Sequence, residues 1–264
     1  MNTTRAALLM SAVILCGCAT RQAQRPNADS SRGFTPALER PGLGTSWGEL
    51  RESWVEPAQF VRASPSQPDE QARIYYNDRE GATAMLAFLH GESHDASGLR
   101  PAQGGALRFG IRDGVGAWLG CREARGRRIA TGEHGTRYEV VLKNDARHAV
   151  EVLVSVDGLD AMDGGPASFK KRGYVLAPSE TLAVEGFRTS RSTVAAFRFG
   201  GISGSYGQRR HGDATNAGVI GVAVFNEKRR PSPADRTDSP DHAWRAAASK
   251  PGGDTHHFST PPDA

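Results

Sequence analysis

Two short segments carry side chains that could bind a metal ion. In residues 90–95 four nitrogen or oxygen donors lie within six positions, namely His90, Glu92, His94 and Asp95. Imidazole and carboxylate groups are ordinary Zn²⁺ ligands. Their order differs from the H-E-x-x-H helix motif, and the glycine and serine between them favour a loop. The segment therefore leaves two interpretations, a zinc site that serves an enzyme and a solvated loop.

Three aspartates follow a valine-rich stretch at intervals of three, Asp157, Asp160 and Asp163. A glycine-rich loop can gather carboxylates and carbonyl groups around Ca²⁺. The alternate spacing and distant glutamate of an EF-hand are missing, and Asp and Gly also form turns through local hydrogen bonds. A turn is the simpler interpretation. We expect no cofactor, with Ca²⁺ or Zn²⁺ as the alternatives.

A serine-rich segment resembles the G-x-S-x-G nucleophile motif only superficially. Ser203 and Ser205 precede His211 and Asp213, so a hydrolase triad can be drawn. The sequence around them does not predict the strand-to-helix turn that this motif requires, so we assign no catalytic residue. Glycines here predict a flexible connection between two strands.

Two basic clusters lie in predicted loops. They consist of Lys170, Lys171 and Arg172, and of Arg209 and Arg210. If these loops meet at one end of a domain, they could bind an anionic glycan, a lipid headgroup or an acidic protein surface. Solvated loop charge is the alternative. The formal net charge of +4 over 264 residues is too weak to indicate a nucleic-acid partner.

The N-terminal residues have the layout of an export signal. Arg5 is followed by an uncharged, mostly apolar run over residues 6–15 and then by small residues. This run is shorter than the roughly 20 residues that a spanning helix needs. Its end, LCGC from Leu15 to Cys18, resembles the lipobox of bacterial lipoproteins.

That resemblance implies a specific maturation and address. Residues 1–17 would be removed as a signal peptide, and Cys18 would carry a diacylglyceryl thioether and an acylated amino group. Two or more acyl chains give stable anchoring where one does not. The residues after the anchor, Ala19 and Thr20, lack the Asp that often retains such proteins in the inner membrane. We therefore expect the periplasmic face of the outer membrane. Cys121 would then be the last thiol, and we expect it to be a small buried residue.

Alternating apolar residues predict an all-β domain. Residues 138–143 and 150–156 show the clearest period of two, and the loop between them predicts a hairpin. Further strands are predicted at residues 73–76, 83–89, 106–111, 117–119, 173–176, 181–187, 193–199 and 218–225. Nine or ten short strands with turn signals favour an antiparallel β-sandwich or a jelly roll.

The flanks are rich in Pro, Gly and polar residues. We predict a flexible tether over residues 18–71 with one short helix near residues 47–56, a β-sandwich over 72–228 and a disordered tail over 229–264. Trp244 and Phe258 are the large apolar residues of that tail.

The second half of the predicted domain carries a further resemblance. The stretches SVDGLDAMDGGPASFKKRGYVLAPSETLAVEGFR, STVAAFRFG and NAGVIGVAVFNE resemble an uncharacterised β-rich module of bacterial envelope proteins. Together these features predict a non-enzymatic, lipid-anchored envelope protein that binds an envelope protein or a glycan. An envelope hydrolase or a metal-dependent carbohydrate-acting enzyme is the alternative.

Overall fold

Alternating apolar residues build two β-sheets that face each other across one hydrophobic core. The computed structural model describes residues 41–228, 242–246 and 258–262. Seven strands form the smaller sheet: β1 (Leu43–Glu52), β5 (Arg100–Pro101), β6 (Leu107–Asp113), β9 (Arg137–Asn144), β13 (Thr181–Val184), β14 (Gly186–Arg188) and β15 (Thr193–Gly201). Ten strands form the larger sheet: β2 (Val55–Gln59), β3 (Glu70–Asn77), β4 (His94–Asp95), β7 (Cys121–Ala124), β8 (Arg127–Thr131), β10 (Val150–Val156), β11 (Leu159–Asp160), β12 (Tyr174–Leu176), β16 (Val219–Asn226) and β17 (His242–Ala246). This architecture confirms the predicted all-β sandwich.

The strands of each sheet follow a largely antiparallel order. The smaller sheet runs β1-β15-β9-β6-β5, with β13 paired to β9 and β14 paired to β15. The larger sheet runs β2-β17-β12-β10-β16-β3-β8-β7-β4, with β11 paired to β10. Two pairs are parallel, β3 with β8 and β12 with β17. The larger sheet is therefore mixed, whereas the sequence predicted only antiparallel pairing.

The two strands with the clearest alternation bury the predicted faces. Tyr138, Val140 and Leu142 of β9 point into the core, and so do the four valines of β10. Burial of each such side chain contributes about 1.5–3 kcal/mol relative to exposure. These two strands supply core residues from opposite sides of the sandwich.

The predicted hairpin between β9 and β10 is wrong, because the two strands belong to different sheets. Asn144 directs the chain across the sandwich at this point. Its buried amide nitrogen lies 2.9–3.1 Å from the carbonyl oxygens of His148, Leu176 and Ala177. Its carbonyl accepts a hydrogen bond from the backbone N–H of Ala146. A turn of the kind predicted therefore leads to the opposite sheet.

The predicted helix near residues 47–56 is also wrong, because this segment lies in β1 and β2. Strand β1 pairs with β15, and its register shifts between Trp47 and Leu50. Such a bulge interrupts the alternation of a strand. The three-residue spacing of Trp47 and Leu50, which resembled a helix, comes from this irregularity, and Leu50 is exposed.

The reverse error occurs at residues 83–89, where a strand was predicted and a helix forms. Helix α1 (Arg79–Phe88) begins at Asp78, whose carboxylate accepts the backbone N–H of Gly81 at 2.7 Å. An aspartate in this position satisfies an otherwise unpaired helix donor. The helix lies against β8 and β3. The strand predicted at residues 117–119 is reduced to one bridge, between Arg112 and Trp118.

The glycine-rich connection after β15 is helical. A 3₁₀ turn (Ile202–Gly204) leads into α2 (Tyr206–His211), which Ser205 caps by accepting the N–H of Gln208. Gly212 ends this helix with a φ of 67°. A left-handed residue at this position favours glycine. The segment predicted as a flexible link is therefore a capped helix with a defined end.

The domain is larger than predicted at both ends. Residues 41–71 of the predicted tether supply two strands and the start of β3, so the sandwich does not begin at residue 72. Within the predicted tail, β17 inserts between β2 and β12. Trp244 is 7% exposed, and its ring lies 5.7 Å from that of Phe258 in a tilted arrangement. Residues 1–40, including the predicted signal peptide and Cys18, and the rest of the tail lie outside the described residues.

Within the described residues, none of the helices combines the length and the apolar character needed to cross a bilayer.

Replacement of Trp244 tests the inclusion of the C-terminal strand. We expect Trp244→Ala to lower the free energy of unfolding by about 3–5 kcal/mol, because it removes a buried aromatic side chain from the core. Phe88→Ala is the matched control, since Phe88 is 77% exposed, and it should leave stability nearly unchanged. Urea denaturation of both full-length variants measures the difference. Equal stability of the two variants would show that β17 contributes nothing.

Candidate functional site

The two outer faces of the sandwich differ in how their charges are paired. On the smaller sheet four arginines pair with three glutamates, in the pairs Arg51–Glu185, Arg112–Glu139, Arg137–Glu49 and Arg198–Glu49, with separations of 2.6–3.8 Å. Each pair leaves its arginine partly accessible to solvent, where ion pairs contribute little to stability, but together they leave fewer charges for a ligand. These four pairs neutralise much of the charge on this face.

The outer face of the larger sheet instead contains a groove of about 400 Å³. Its floor consists of two cross-strand rows from β10, β16 and β3. One row is Leu153, Ala223 and Gln71, and the other is Ser155, Gly221 and Arg73. A Cβ at Gly221 would lie 2.7 Å from the Ser155 Oγ. Because Gly221 and Ala223 of β16 are small, the floor is recessed between the larger side chains on either side.

One wall of the groove is a loop of residues 166–171 that folds back over the sheet. Phe169 lies in this wall and is 42% exposed. Arg62 fixes the loop by donating to the carbonyl oxygens of Phe169 at 2.6 Å and Lys171 at 2.5 Å. Its guanidinium also stacks on the ring of Phe225, 3.6 Å from the centroid.

The same arginine is anchored by a buried carboxylate on β10. Glu151 accepts two hydrogen bonds from Arg62, both at 2.8 Å, and one from the backbone N–H of Gly173 at 2.6 Å. Arg172 approaches the same carboxylate at 3.2 Å. With a further bond to the carbonyl of Pro65, all five N–H groups of Arg62 have acceptors.

The groove continues across β3 toward α1. A hollow of about 370 Å³ follows at Arg73, Tyr75 and Arg127. A third hollow of about 330 Å³ lies between Tyr75 and the helix, where Phe88 is 77% exposed. Adjoining hollows share lining residues, so we treat the three together as the outer groove.

Asp157, a predicted cation ligand, faces the interior. Its carboxylate accepts hydrogen bonds from the N–H of Thr45 at 2.6 Å, the hydroxyl of Tyr76 at 2.6 Å and the N–H of Gly218 at 2.9 Å. Burial raises the pKa of Asp157 to about 6. Burial likewise raises the pKa of Tyr76 well above its ordinary value. The N–H of Thr45 is buried in edge strand β1, so this aspartate satisfies a backbone donor that would otherwise have no partner inside the fold.

The other two aspartates have separate partners. Asp160 lines the outer groove and accepts the backbone N–H groups of Met162 and Asp163 at 2.8 and 3.3 Å. Burial raises its pKa to about 7. Asp163 binds the Lys171 Nζ at 2.6 Å. The hydrogen bonds of the three carboxylates form turns and pin neighbouring elements.

The potential metal ligands in residues 90–95 lie along the segment that leads from α1 into β4. His94 and Asp95 form β4 and are exposed, and Asp95 binds the hydroxyl of Ser97 at 2.7 Å. His90 adopts a φ of 46° just after α1. Across the part of the chain that the structure describes, no three His, Cys, Asp or Glu side chains are grouped to hold a metal ion. The zinc and calcium hypotheses gain no support from this arrangement.

The serine triad drawn from the sequence is not assembled. Ser205 is buried and its Oγ caps α2, while the His211 Nε2 lies 2.9 Å from the carbonyl of Gly164. Asp213 binds the backbone N–H of Thr215. These three side chains thus serve other partners, and the hydrolase alternative also gains no support.

The predicted basic clusters are partly used inside the fold. Lys171 and Arg172 bind Asp163 and Glu151, whereas Lys170 is exposed beside them. Arg209 and Arg210 lie in the last turn of α2, where positive charge complements the helix dipole. The contact between His211 and Gly164 brings the two loops to the same end of the sandwich.

Cys121 is buried as predicted, with 5% of its surface exposed. Burial raises the pKa of its thiol. It is therefore a core residue with little thiolate character.

The residues that line the outer groove were missed, although the strands contained a signal for some of them. Leu153 and Ala223 are apolar and lie on the face opposite the core valines. Strands with apolar residues on both faces are covered on both sides. No local pattern in the sequence indicates that Arg73 and Arg127 lie beside these apolar residues.

Comparison of the chain with protein-family models, with curated proteins and with solved structures finds no match.

The raised pKa of Asp160 predicts how stability changes with pH. The group favours the folded state most below its unfolded pKa of about 4, and this contribution is lost as the pH rises through about 7. One such group contributes a fall in free energy of unfolding of at most about 1.4 kcal/mol per pH unit. We expect Asp160→Asn to remove this fall between pH 4.5 and 7.5, because the amide oxygen can still accept both backbone N–H groups.

Urea denaturation at several pH values measures the slope. Asp213→Asn is the control, since the lowered pKa of that exposed carboxyl makes it titrate below this range. An unchanged slope in Asp160→Asn would contradict the prediction.

Proposed function

We propose that this protein is a lipid-anchored component of the bacterial envelope whose β-sandwich binds a partner without catalysing a reaction. In this proposal Cys18 carries the lipid at the periplasmic face of the outer membrane. The sandwich presents the outer groove to an envelope protein or a glycan. The anchor and the binding surface rest on different observations and have separate tests.

The proposal for the anchor rests on sequence. LCGC at Leu15 to Cys18 follows an apolar run with Arg5 before it, as a lipoprotein signal requires. The 24 residues from Ala19 to Gly42 separate the thiol from β1. At most about 3.5 Å per residue, this stretch can span up to about 80 Å. A sandwich tied at Cys18 could therefore reach partners that are not in the membrane itself.

The binding surface is carried by one observation, the difference between the two outer faces. The smaller sheet pairs four arginines of its outer face with glutamates, while the larger sheet places Arg73 and Arg127 beside apolar floor residues. A concave surface that combines apolar lining with a few polar groups is the usual form of a binding site. A ligand on this face would bury apolar surface and meet cations whose charge is available.

Fatty-acid labelling tests the anchor. We expect cells that express the full chain to incorporate labelled palmitate into the wild type and into Cys16→Ser, because Cys16 would leave with the signal. Cys18→Ser should lose the label and appear in the soluble fraction. Two cysteines two positions apart thus provide a matched pair. Equal labelling of all three proteins, or loss in Cys16→Ser alone, would refute the assignment of Cys18.

Site-specific cross-linking in intact cells tests the binding surface. We expect a photoreactive residue at Gln71, in the floor of the outer groove, to give a discrete adduct of higher mass. The same residue at Lys143, on the outer face of the smaller sheet, should give none, because it lies on the sheet opposite the groove. Adducts at Lys143 with none at Gln71 would contradict the proposal, because they would place the binding surface on the smaller sheet.

A further inference from the structure

The outer groove has cations at its centre and apolar side chains at both ends. Arg73 and Arg127 are exposed, and neither guanidinium makes a hydrogen bond or an ion pair within the described residues. Arg127 lies 5.9 Å above the ring of Tyr75. The two arginines are neighbours, since they precede the paired residues Ile74 and Arg128 on β3 and β8. Two adjacent cations without a counter-charge favour an anionic group between them.

The apolar ends lie on opposite sides of this charge. One end consists of Leu153, Ala223 and the ring of Phe169. The other end lies against α1 and includes Met85, Phe88 and Ile129. Phe169 and Phe88 are 42% and 77% exposed. Exposed aromatic residues that flank a groove are typical of an interaction surface.

The separation of the ends sets the length of a ligand. From β10 to β8 there are three steps between neighbouring strands, or about 14 Å at roughly 4.8 Å each. With the side chains of the wall and the helix, the span is on the order of 20 Å. An extended chain rises about 3.3 Å per residue, so about six residues would cross the groove.

Along the groove an apolar end, the two cations and a second apolar end follow one another, and this order selects the class of ligand. A fatty acid or phospholipid carries its anion at one end of its apolar part, which would leave one apolar end of the groove unoccupied. An extended peptide can place an acidic side chain in the middle with apolar side chains on both sides. Its carboxylate can meet both guanidinium groups, and the aromatic ends can bury its apolar residues.

We propose that the outer groove binds an extended segment of a partner protein, in which one or two acidic residues are flanked on both sides by apolar residues. This inference rests on the proposed function, because it takes the outer face of the larger sheet as the binding surface. It adds the class of partner and the two side chains that recognise its charge.

Selection from a peptide library tests the inference. The probe is a displayed library of random ten-residue peptides, and the bait is the full chain purified in detergent. We expect enrichment of peptides that have Asp or Glu in the middle and apolar residues two to four positions away on each side. In the double variant Arg73→Glu and Arg127→Glu the enriched central residue should become Lys or Arg, while the apolar positions persist.

A control variant separates specific recognition from net charge. Arg209→Glu reverses an exposed arginine outside the groove and should leave the enriched pattern unchanged. By fluorescence anisotropy, the Kd of a synthetic consensus peptide should increase at least tenfold in the double variant. The charge-swapped peptide should restore binding to that variant. A cooperative thermal unfolding transition checks that each variant folds.

Three outcomes would overturn the inference. They are no enrichment, the same acidic pattern in the double variant, and binding of anionic lipid vesicles that depends on Arg73 and Arg127 when no peptide binds. Failure of the proposed function is distinguishable. If palmitate labelling does not depend on Cys18 but the peptide still binds, only the proposed anchor is refuted. If a photoreactive residue at Gln71 forms an adduct in cells but no peptide is enriched, the outer groove remains the binding surface and only the peptide class of the partner is refuted.

Discussion

A buried carboxylate, Glu151, is the interaction on which the outer groove depends. It lies on the outer face of β10 with no exposed surface, where an isolated charge would be costly. Arg62 and Arg172 neutralise it, and the backbone N–H of Gly173 completes its hydrogen bonds. Removal of one partner of such a pair typically costs about 3–5 kcal/mol, because the other charge remains buried.

The geometry of this ion pair explains why an arginine is needed. A planar guanidinium can bind both oxygens of Glu151 and still direct N–H groups to the carbonyls of Phe169 and Lys171. A lysine has a single charged centre with three donors and could not hold both the carboxylate and the loop in this way. The ion pair therefore fixes the wall of the groove, and the small residues of β16 define its depth.

The sequence predicted those features that follow from local periodicity. Valines at alternate positions in residues 150–156 placed β10 in the core, because a strand with one buried face repeats every two residues. The same rule failed at Trp47, where a bulge changes the register and imitates a helical spacing. It failed again at residues 83–89, where the cap at Asp78 and packing on β8 decide for a helix. Local patterns do not record irregularities of pairing or the demands of a neighbouring element.

The prediction of binding residues from the sequence was limited for a similar reason. Asp160 and Asp163 do lie near Lys171, as their spacing suggested, whereas Asp157 faces the interior. However, Lys171 pairs with Asp163, and Asp157 holds the edge of β1, so the fold uses much of this charge itself. Spacing along the chain shows which groups are close in sequence. It does not show which of them already have a partner.

The sequence by itself determined the fold class, the buried faces of the main strands and the burial of Cys121, because each depends on residue type and short-range period. It also supplies the motif at Cys18, which is read from consecutive residues. Only the tertiary structure decided that β9 and β10 belong to opposite sheets, that Trp244 completes the core and that Arg73 and Arg127 share a groove. In each case the partners that decide the arrangement lie dozens of positions away in the chain, and pairing at that distance is decided by the packing of the whole sandwich.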